Sequence, residues 1–497
     1  MNLTPRSRHL SLAAGVAAAL SGSPAYAAND AMLQLLKVLH DKGTIDAETY
    51  QALQIAAKAD EEVNAAQGGE VGKKVEQTLA QTGTPALSPA RFEVKDKTGD
   101  YAWRVIGRAM YDAAIMEPDG KFAGNDAGQF RRLRLGAQGT LATNWKFKAE
   151  YDFREADQGI AGLKDAYVAY TGALPLLTEA GIGTDVKIGQ SHEPFSFDLL
   201  TSSRNSLFTE RALPVDVFAK TVGERNPGLK LTAWGSNWTA AAGVFTSRQE
   251  EKTSDVACVV PAGGLNPGDK FTCTGGTEET PAREFGEGYA ATTRLTYAPW
   301  REGGHVLHLG TALSYREMVK AKDFRLRERF EVAETSTRLI DTGTFKADNF
   351  LRWNAEVAAV EGPFTFQGEF FLLQASRPLV AADPLFTGYY LSAGWFLTGE
   401  SRAYKFQDGT WDDVKPYSIV GKGGWGAWEL VARYSNADLN DAGIFGGEQQ
   451  NVTLGVNWYP APMVRFMADY VKVLEVDKGA FDGTEPSAFV LRSMVYW

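Results

Sequence analysis

Beyond about Tyr101 the chain alternates apolar and polar side chains in runs of roughly ten residues, the length of a strand that crosses a bilayer. Period two is the repeat of extended backbone, in which successive side chains point to opposite faces. Sixteen runs can be read: 101–116, 128–142, 145–155, 163–172, 184–191, 225–235, 238–248, 288–299, 305–317, 350–361, 363–376, 387–399, 426–438, 449–459, 464–475 and 487–497. An even number is what a closed antiparallel barrel requires. The expected fold is therefore all-β, a sixteen-stranded antiparallel transmembrane β-barrel over residues 100–497.

The connections test this independently, because an antiparallel barrel sends every second connection to the same side. Those after odd-numbered runs include 192–224, 249–287 and 318–349, all long; those after even-numbered runs include Thr143-Asn144, Ser236-Asn237, Gly362 and Pro460–Met463, all short. Long external loops and short periplasmic turns are the asymmetry of outer-membrane barrels. Two connections on the short side, 173–183 and 400–425, break the pattern, and the second is long enough to fold back into the lumen or cap it. The last run puts Phe489, Leu491, Val495 and Trp497 on one face. Left open, such a strand would be an apolar edge; pairing it with the first run removes the edge.

Upstream of residue 100 the pattern changes. Arg6, Arg8 and His9 precede an apolar run from Leu10 to Leu20 and then Ala25-Tyr26-Ala27, the order of a secretory signal (1–27) cleaved near Ala27. Residues 28–64 carry two short segments with apolar spacing of helical type, broken at Gly43, and predict a small periplasmic helical hairpin. Residues 65–99 are rich in Gly, Gln, Thr, Ala and Pro and predict a linker. After export the two cysteines, Cys258 and Cys273, meet an oxidising compartment, and a local disulfide between them is expected. Aromatics at 11% and 51 glycines, with 44% hydrophobic residues, fit many strands and turns better than spanning helices. The formal charge of -10 argues against a chain that is basic overall, so any cationic surface has to be local.

Such a surface is present. In 128–142, Leu133, Leu135, Ala137 and Leu141 take the lipid face, leaving Arg132, Arg134, Gln138 and Thr140 to the lumen; in 145–155 the same logic leaves Lys146, Lys148, Glu150, Asp152 and Arg154 inside. The reverse assignment would set charges in lipid at about 2 to 4 kcal/mol each. In the segment KDFRLRERF, residues 322–330, Arg325, Arg327 and Arg329 recur every second residue and share one side of an extended backbone. A solvated surface face is the alternative reading of that row.

Phe130-Arg131-Arg132, Thr201-Ser202-Ser203-Arg204 with Glu210-Arg211-Ala212, the Arg325/Arg327/Arg329 row with Asp341-Thr342-Gly343, WFLTGESRAY at 395–404, GAWELVARYS at 426–435 and LGVNWYPAPMVRFMADYV at 454–471 together resemble the phosphate-selective porin O and P family. The resemblance implies a homotrimeric outer-membrane channel in which an arginine ladder leads anions to a constriction made by inward-folded loops. On it, Arg325, Arg327 and Arg329 match the ladder. Arg131, Arg132, Ser202, Ser203 and Arg211 match constriction or central-site positions, with Lys146 and Asp165 placed there as well. The terminal Trp497 strand resembles the signal read by the barrel-assembly machinery. Where phosphate-selective members carry a lysine just before Thr201, this chain has Asp198-Leu199-Leu200, which leaves phosphate specificity open. Each site has a plainer alternative: Arg131 and Arg132 as braces of a loop, Ser202 and Ser203 as turn formers, Asp165 as an ion-pair partner.

Enzyme readings find little support. There is no G-x-S-x-G, H-E-x-x-H or phosphate-loop motif, and His305 and His308, three apart on a strand, face opposite sides. The expected partners are phosphate or other small anions and outer-membrane lipid, with no cofactor. The expected function is a passive anion channel for phosphate or polyphosphate. A general anion porin, or a non-conducting adhesion barrel, are the alternatives.

Overall fold

A computed structural model describes residues 86–88, 91–96, 100–154, 162–220, 224–246, 288–302, 304–318, 323–378 and 382–497. The expected signal, the helical hairpin, most of the linker, and Cys258 and Cys273 lie outside the described residues.

Alternating side chains from Ala102 onward build sixteen strands, each antiparallel to the next. They are β1 (Ala102–Glu117), β2 (Ala127–Leu141), β3 (Trp145–Asp152), β4 (Leu163–Thr171), β5 (Gly183–His192), β6 (Arg225–Trp234), β7 (Trp238–Thr246), β8 (Tyr289–Glu302), β9 (His305–Glu317), β10 (Asn349–Glu361), β11 (Phe364–Ser376), β12 (Leu385–Phe396), β13 (Ala427–Asp441), β14 (Ile444–Ala461), β15 (Val464–Asp477) and β16 (Ser487–Tyr496). The ladder between β16 and β1, Ser487 opposite Glu117 through Tyr496 opposite Arg108, closes the barrel. All sixteen predicted runs become strands. The largest boundary difference is at β13 and β14, which extend to a two-residue external turn, Ala442-Gly443, with φ of 50° and 80°. Positive φ at both central positions is the turn whose twist matches a tight hairpin.

The faces follow the alternation. Leu133, Leu135 and Leu141 on β2 are exposed on the outer wall while Arg132 and Arg134 are buried inside, and Trp145 is exposed on β3 while Glu150 and Asp152 are buried. Aromatic side chains gather near the strand ends, with Trp428, Trp458 and Phe466 stacked in sequence at centroid spacings of 5.4 Å, as suits a bilayer interface.

The closing seam has a specific lock. Trp497 continues past β16, exchanging backbone hydrogen bonds with Gly107 of β1 at 3.1 and 3.2 Å. Its indole lies over Gly107, where a Cβ would come within 2.2 Å of the ring and 2.9 Å of the Arg134 carbonyl. Gly107→Val should therefore displace the terminal strand at a cost of about 1–3 kcal/mol. The expected outcome is a reduced fraction of folded barrel, read from heat-modifiable mobility on gels. Wild-type mobility and yield would show that the seam tolerates a side chain there.

Below Trp497 the β16-side edge of β1 would be bare, and the chain covers it with its own upstream segment. Strand Arg91–Lys95 pairs with β1, Glu93 opposite Arg104 and Lys95 opposite Ala102, and itself pairs with Ala86–Ser88.

The lumen is filled on one side. The third external loop, L3 (193–224), and the fifth, L5 (318–348), fold inward. Phe195, Leu199, Leu213 and Phe218 of L3 pack with Phe324 and Leu326 of L5 against Phe350, Phe371 and Phe386 on the inner wall. From the opposite rim the long connection T6 (397–426) also enters the barrel. Its Trp411 is buried edge-on against Phe197, with centroids 5.1 Å apart, and donates from Nε1 to Gln367 Oε1 at 2.6 Å. The periplasmic connection that was too long to be a turn is thus an internal strut.

Carboxylates of the same wall hold L3 in place. Glu369 accepts from Ser196 Oγ and from the N–H groups of Phe197 and Asp198 at 2.9 to 3.2 Å, at the start of the short helix α1 (Phe197–Leu200). Asp469 accepts from Thr209 N and Oγ1 at 2.7 and 2.8 Å. With that side occupied, the open space runs along the wall of β1 to β6.

Candidate anion pathway

Three adjoining cavities follow that wall. The outer one, about 280 Å³, is lined by Arg154, Arg329 and Arg338; the middle one is about 150 Å³; the inner one, about 320 Å³, is lined by Lys146, Lys187 and Lys230. Arg131 and Lys220 border both outer and middle cavities, and Asp165 and His192 border both middle and inner ones, so the three lie in series. The smallest is the most cationic, with nine Lys and Arg side chains against two carboxylates on its lining.

Six residues expected at the constriction come together there: Arg131, Arg132, Asp165, Ser202, Ser203 and Arg211. Lys146, expected with them, lies in the inner cavity instead, because it sits near the periplasmic start of β3.

Arg131 and Arg132 both point inward although they are consecutive. The register explains it: Met110 faces Arg132 but Tyr111 faces Phe130, so Arg131 is the extra residue of a β-bulge. Without the bulge, strict alternation would turn one of the two guanidiniums into lipid.

Their surroundings then divide them. Arg131 donates from Nε and Nη2 to Glu210 at 2.6 and 2.8 Å, and Glu210 also accepts from Arg492 at 3.0 Å, which is clamped on Asp112 at 2.6 and 2.5 Å. Arg131 is therefore a brace for L3. Arg132 has no carboxylate at ion-pair distance among the described residues, and it donates from Nη1 to Met110 Sδ at 3.6 Å.

The other members are mostly paired. Arg108 Nη1 donates to Ser202 Oγ at 3.1 Å and Ser203 Oγ at 2.9 Å, joining L3 to β1 across the pore. Arg211 donates to the carbonyls of Asp198, Leu199 and Thr201, the last two at 3.0 Å. A cation thus reaches the Asp198-Leu199-Leu200 turn from later in the same loop. Asp165 binds both Lys148 and Arg225, the latter at 3.2 Å.

The Arg325/Arg327/Arg329 row lies in L5 with its apolar partners Phe324, Leu326 and Phe330 buried on the other side. Arg329 lines the outer cavity and donates to Ala333 O at 3.0 Å. Arg325 is held in a two-pronged pair with Asp341, and Arg327 is exposed. Burial alone would push the Asp341 carboxyl up, yet hydrogen bonds from Arg325 and the Gly343 N–H bring it below the usual carboxylate range.

Lys164, Lys220 and Arg225 also line the middle cavity and were not singled out from the sequence. Lys187 and Lys230, in the inner cavity, occupy inward positions of their strands and could have been found by alternation. Among the described residues no group of three or more His, Cys, Asp or Glu is arranged to hold a metal.

The chain is 26% identical over 442 residues to Porin O of Pseudomonas aeruginosa, covering 79% of this chain and 89% of that protein. It is 28% identical over 397 residues to a protein of Caulobacter vibrioides, covering 78% of this chain and 72% of the relative. Among solved structures it is similar to an anion-selective porin from Comamonas acidovorans at 12% identity and a TM-score of 0.45, covering 80% of this chain and all of that one. The family described as phosphate-selective porin O and P matches residues 104–497, and the chain belongs to that family.

Proposed function

We propose that the protein is a passive anion channel of the outer membrane, with phosphate or polyphosphate as the permeating ion. The observation that carries this reading is Arg132, a buried guanidinium on the smallest of the three cavities that makes no ion pair with a carboxylate among the described residues. A permeating oxyanion needs donors strong enough to replace its water and weak enough to release it. A planar guanidinium supplies the strong donors, and the Ser202 and Ser203 hydroxyls supply adjustable ones. Cavities in series, each bordered by cations, allow transfer in short steps.

Arg325, Arg327 and Arg329 act in this scheme as a guide from the external mouth. On the same reading the chain is exported behind the signal ending near Ala27, assembles through its Trp497 strand and works as a homotrimer. A second reading, an anion porin without phosphate preference, is favoured by Arg211, whose donors are spent on backbone carbonyls.

Reversal potential in a planar bilayer under a KCl gradient tests the proposal. Anion selectivity is expected, and cation selectivity would overturn it. Block of chloride current by millimolar phosphate then separates the two readings. Replacing Arg325, Arg327 and Arg329 together with Ala is expected to lower anion selectivity about twofold to threefold, since exposed charges are screened. An unchanged reversal potential would remove the guiding role.

A further inference from the structure

A second bulge lies beside the constriction. Ala149 of β3 faces Ala166 of β4 and Tyr151 faces Leu163, so Glu150 stands opposite both Lys164 and Asp165. Both side chains are 5% exposed and both line the constriction. An unbulged strand could turn only one of them inward.

The bulge has its own fastening. The β4–β5 ladder begins at Ala166 opposite Gln190, which leaves residues 163–165 beyond its end. The carboxamide of Gln190 donates to the carbonyls of Leu163 at 2.6 Å and Lys164 at 2.9 Å, and the residue is only 6% exposed. One uncharged side chain thereby satisfies two carbonyls that the ladder does not reach. A carboxylate could not donate to them, and asparagine is one methylene shorter.

We infer that Lys164 is a selectivity-determining cation of the constriction and that Gln190 is the residue that positions it. The inference rests on the proposed anion channel. Asp165, delivered by the same bulge, holds Lys148 and Arg225 in place, so the bulge sets the position of Lys164 directly and of two further cations through Asp165. Gln190 touches no permeating ion and acts through the backbone it fastens.

The test compares reversal potentials of the full-length protein in planar bilayers under a KCl gradient, with heat-modifiable mobility as the check of assembly. Lys164→Gln should lower the chloride-to-potassium permeability ratio about threefold. Gln190→Met should lower it in the same direction, and the double variant should be no worse than Lys164→Gln alone. If Gln190→Met does not assemble, Gln190→Asn replaces it and is read in the same way. An unchanged ratio in Lys164→Gln overturns the role of the lysine. A lowered ratio there with no change at Gln190, or additive effects in the double variant, overturns the positioning role. Lack of anion preference in the unmodified channel would instead reject the proposed function, so the two failures are distinguishable.

Discussion

Replacing Arg132 with Ala is expected to reduce the chloride-to-potassium permeability ratio about tenfold, the equivalent of ~1.4 kcal/mol of ion–site interaction in a partly screened pore. The size of the effect follows from its isolation. Arg131, one residue away, is paired with Glu210, and Arg134 with Glu150 and Asp152, so removing either takes a partner from an acid as well as a cation from the cavity. Arg132 leaves only a cavity. The barrel should remain folded, because among the described residues no carboxylate depends on it as an ion-pair partner. Reversal potential is the measurement, with phosphate block recorded in parallel. A ratio within twofold of the unmodified channel would place the selective step elsewhere.

Replacing Glu331 with Ala should enlarge the pore and make its current noisy. Glu331 is the point where L5, L3 and the wall meet. It accepts from Leu213 N at 2.7 Å, Ser435 Oγ at 2.6 Å, Thr453 Oγ1 at 3.0 Å and Arg433 Nη2 at 2.6 Å. Its backbone sits at φ 65°, a conformation that a non-glycine residue keeps only where its surroundings enforce it. Removing the carboxylate strands the buried Arg433 guanidinium, at a cost of about 3–5 kcal/mol. The loops then have less reason to stay against the wall than to leave it. Single-channel conductance should rise and selectivity fall, while the barrel retains its heat-modifiable mobility. Unchanged conductance and noise would show that the apolar contacts of Phe218 and Leu326 hold the loops unaided.

The barrel was legible because its physics is periodic. A strand between lipid and water has to alternate, and the sixteen runs, their spacing and the parity of their connections all express that one constraint. The cation-lined middle cavity was legible only in part, because it depends on departures from the period. Alternation assigns Arg132 and Arg134 to the lumen but says nothing of Arg131, which needs the extra residue of a bulge. It likewise hides one of Lys164 and Asp165.

Partners distant in sequence were hidden for another reason. Glu369 and Asp469 occupy inward positions that the pattern supplies, yet the groups they hold, Phe197 N and Thr209 N, are 172 and 260 residues away. Arg211 shows the same effect at shorter range. No cation adjoins Asp198-Leu199-Leu200 in sequence, but the fold of L3 returns one from 13 residues further on.

The strand Arg91–Lys95 has a consequence for how the barrel is made. The seam needs Trp497, which is made after all sixteen strands, yet the stretch of β1 just below it is paired to a segment made before β1 itself. One part of the joint can therefore be covered early and the other only once β16 has been made. In the interval between, the newborn β1 offers strangers a shorter length of open edge than a barrel without that flap would, a chaperone-like service supplied by the chain to itself.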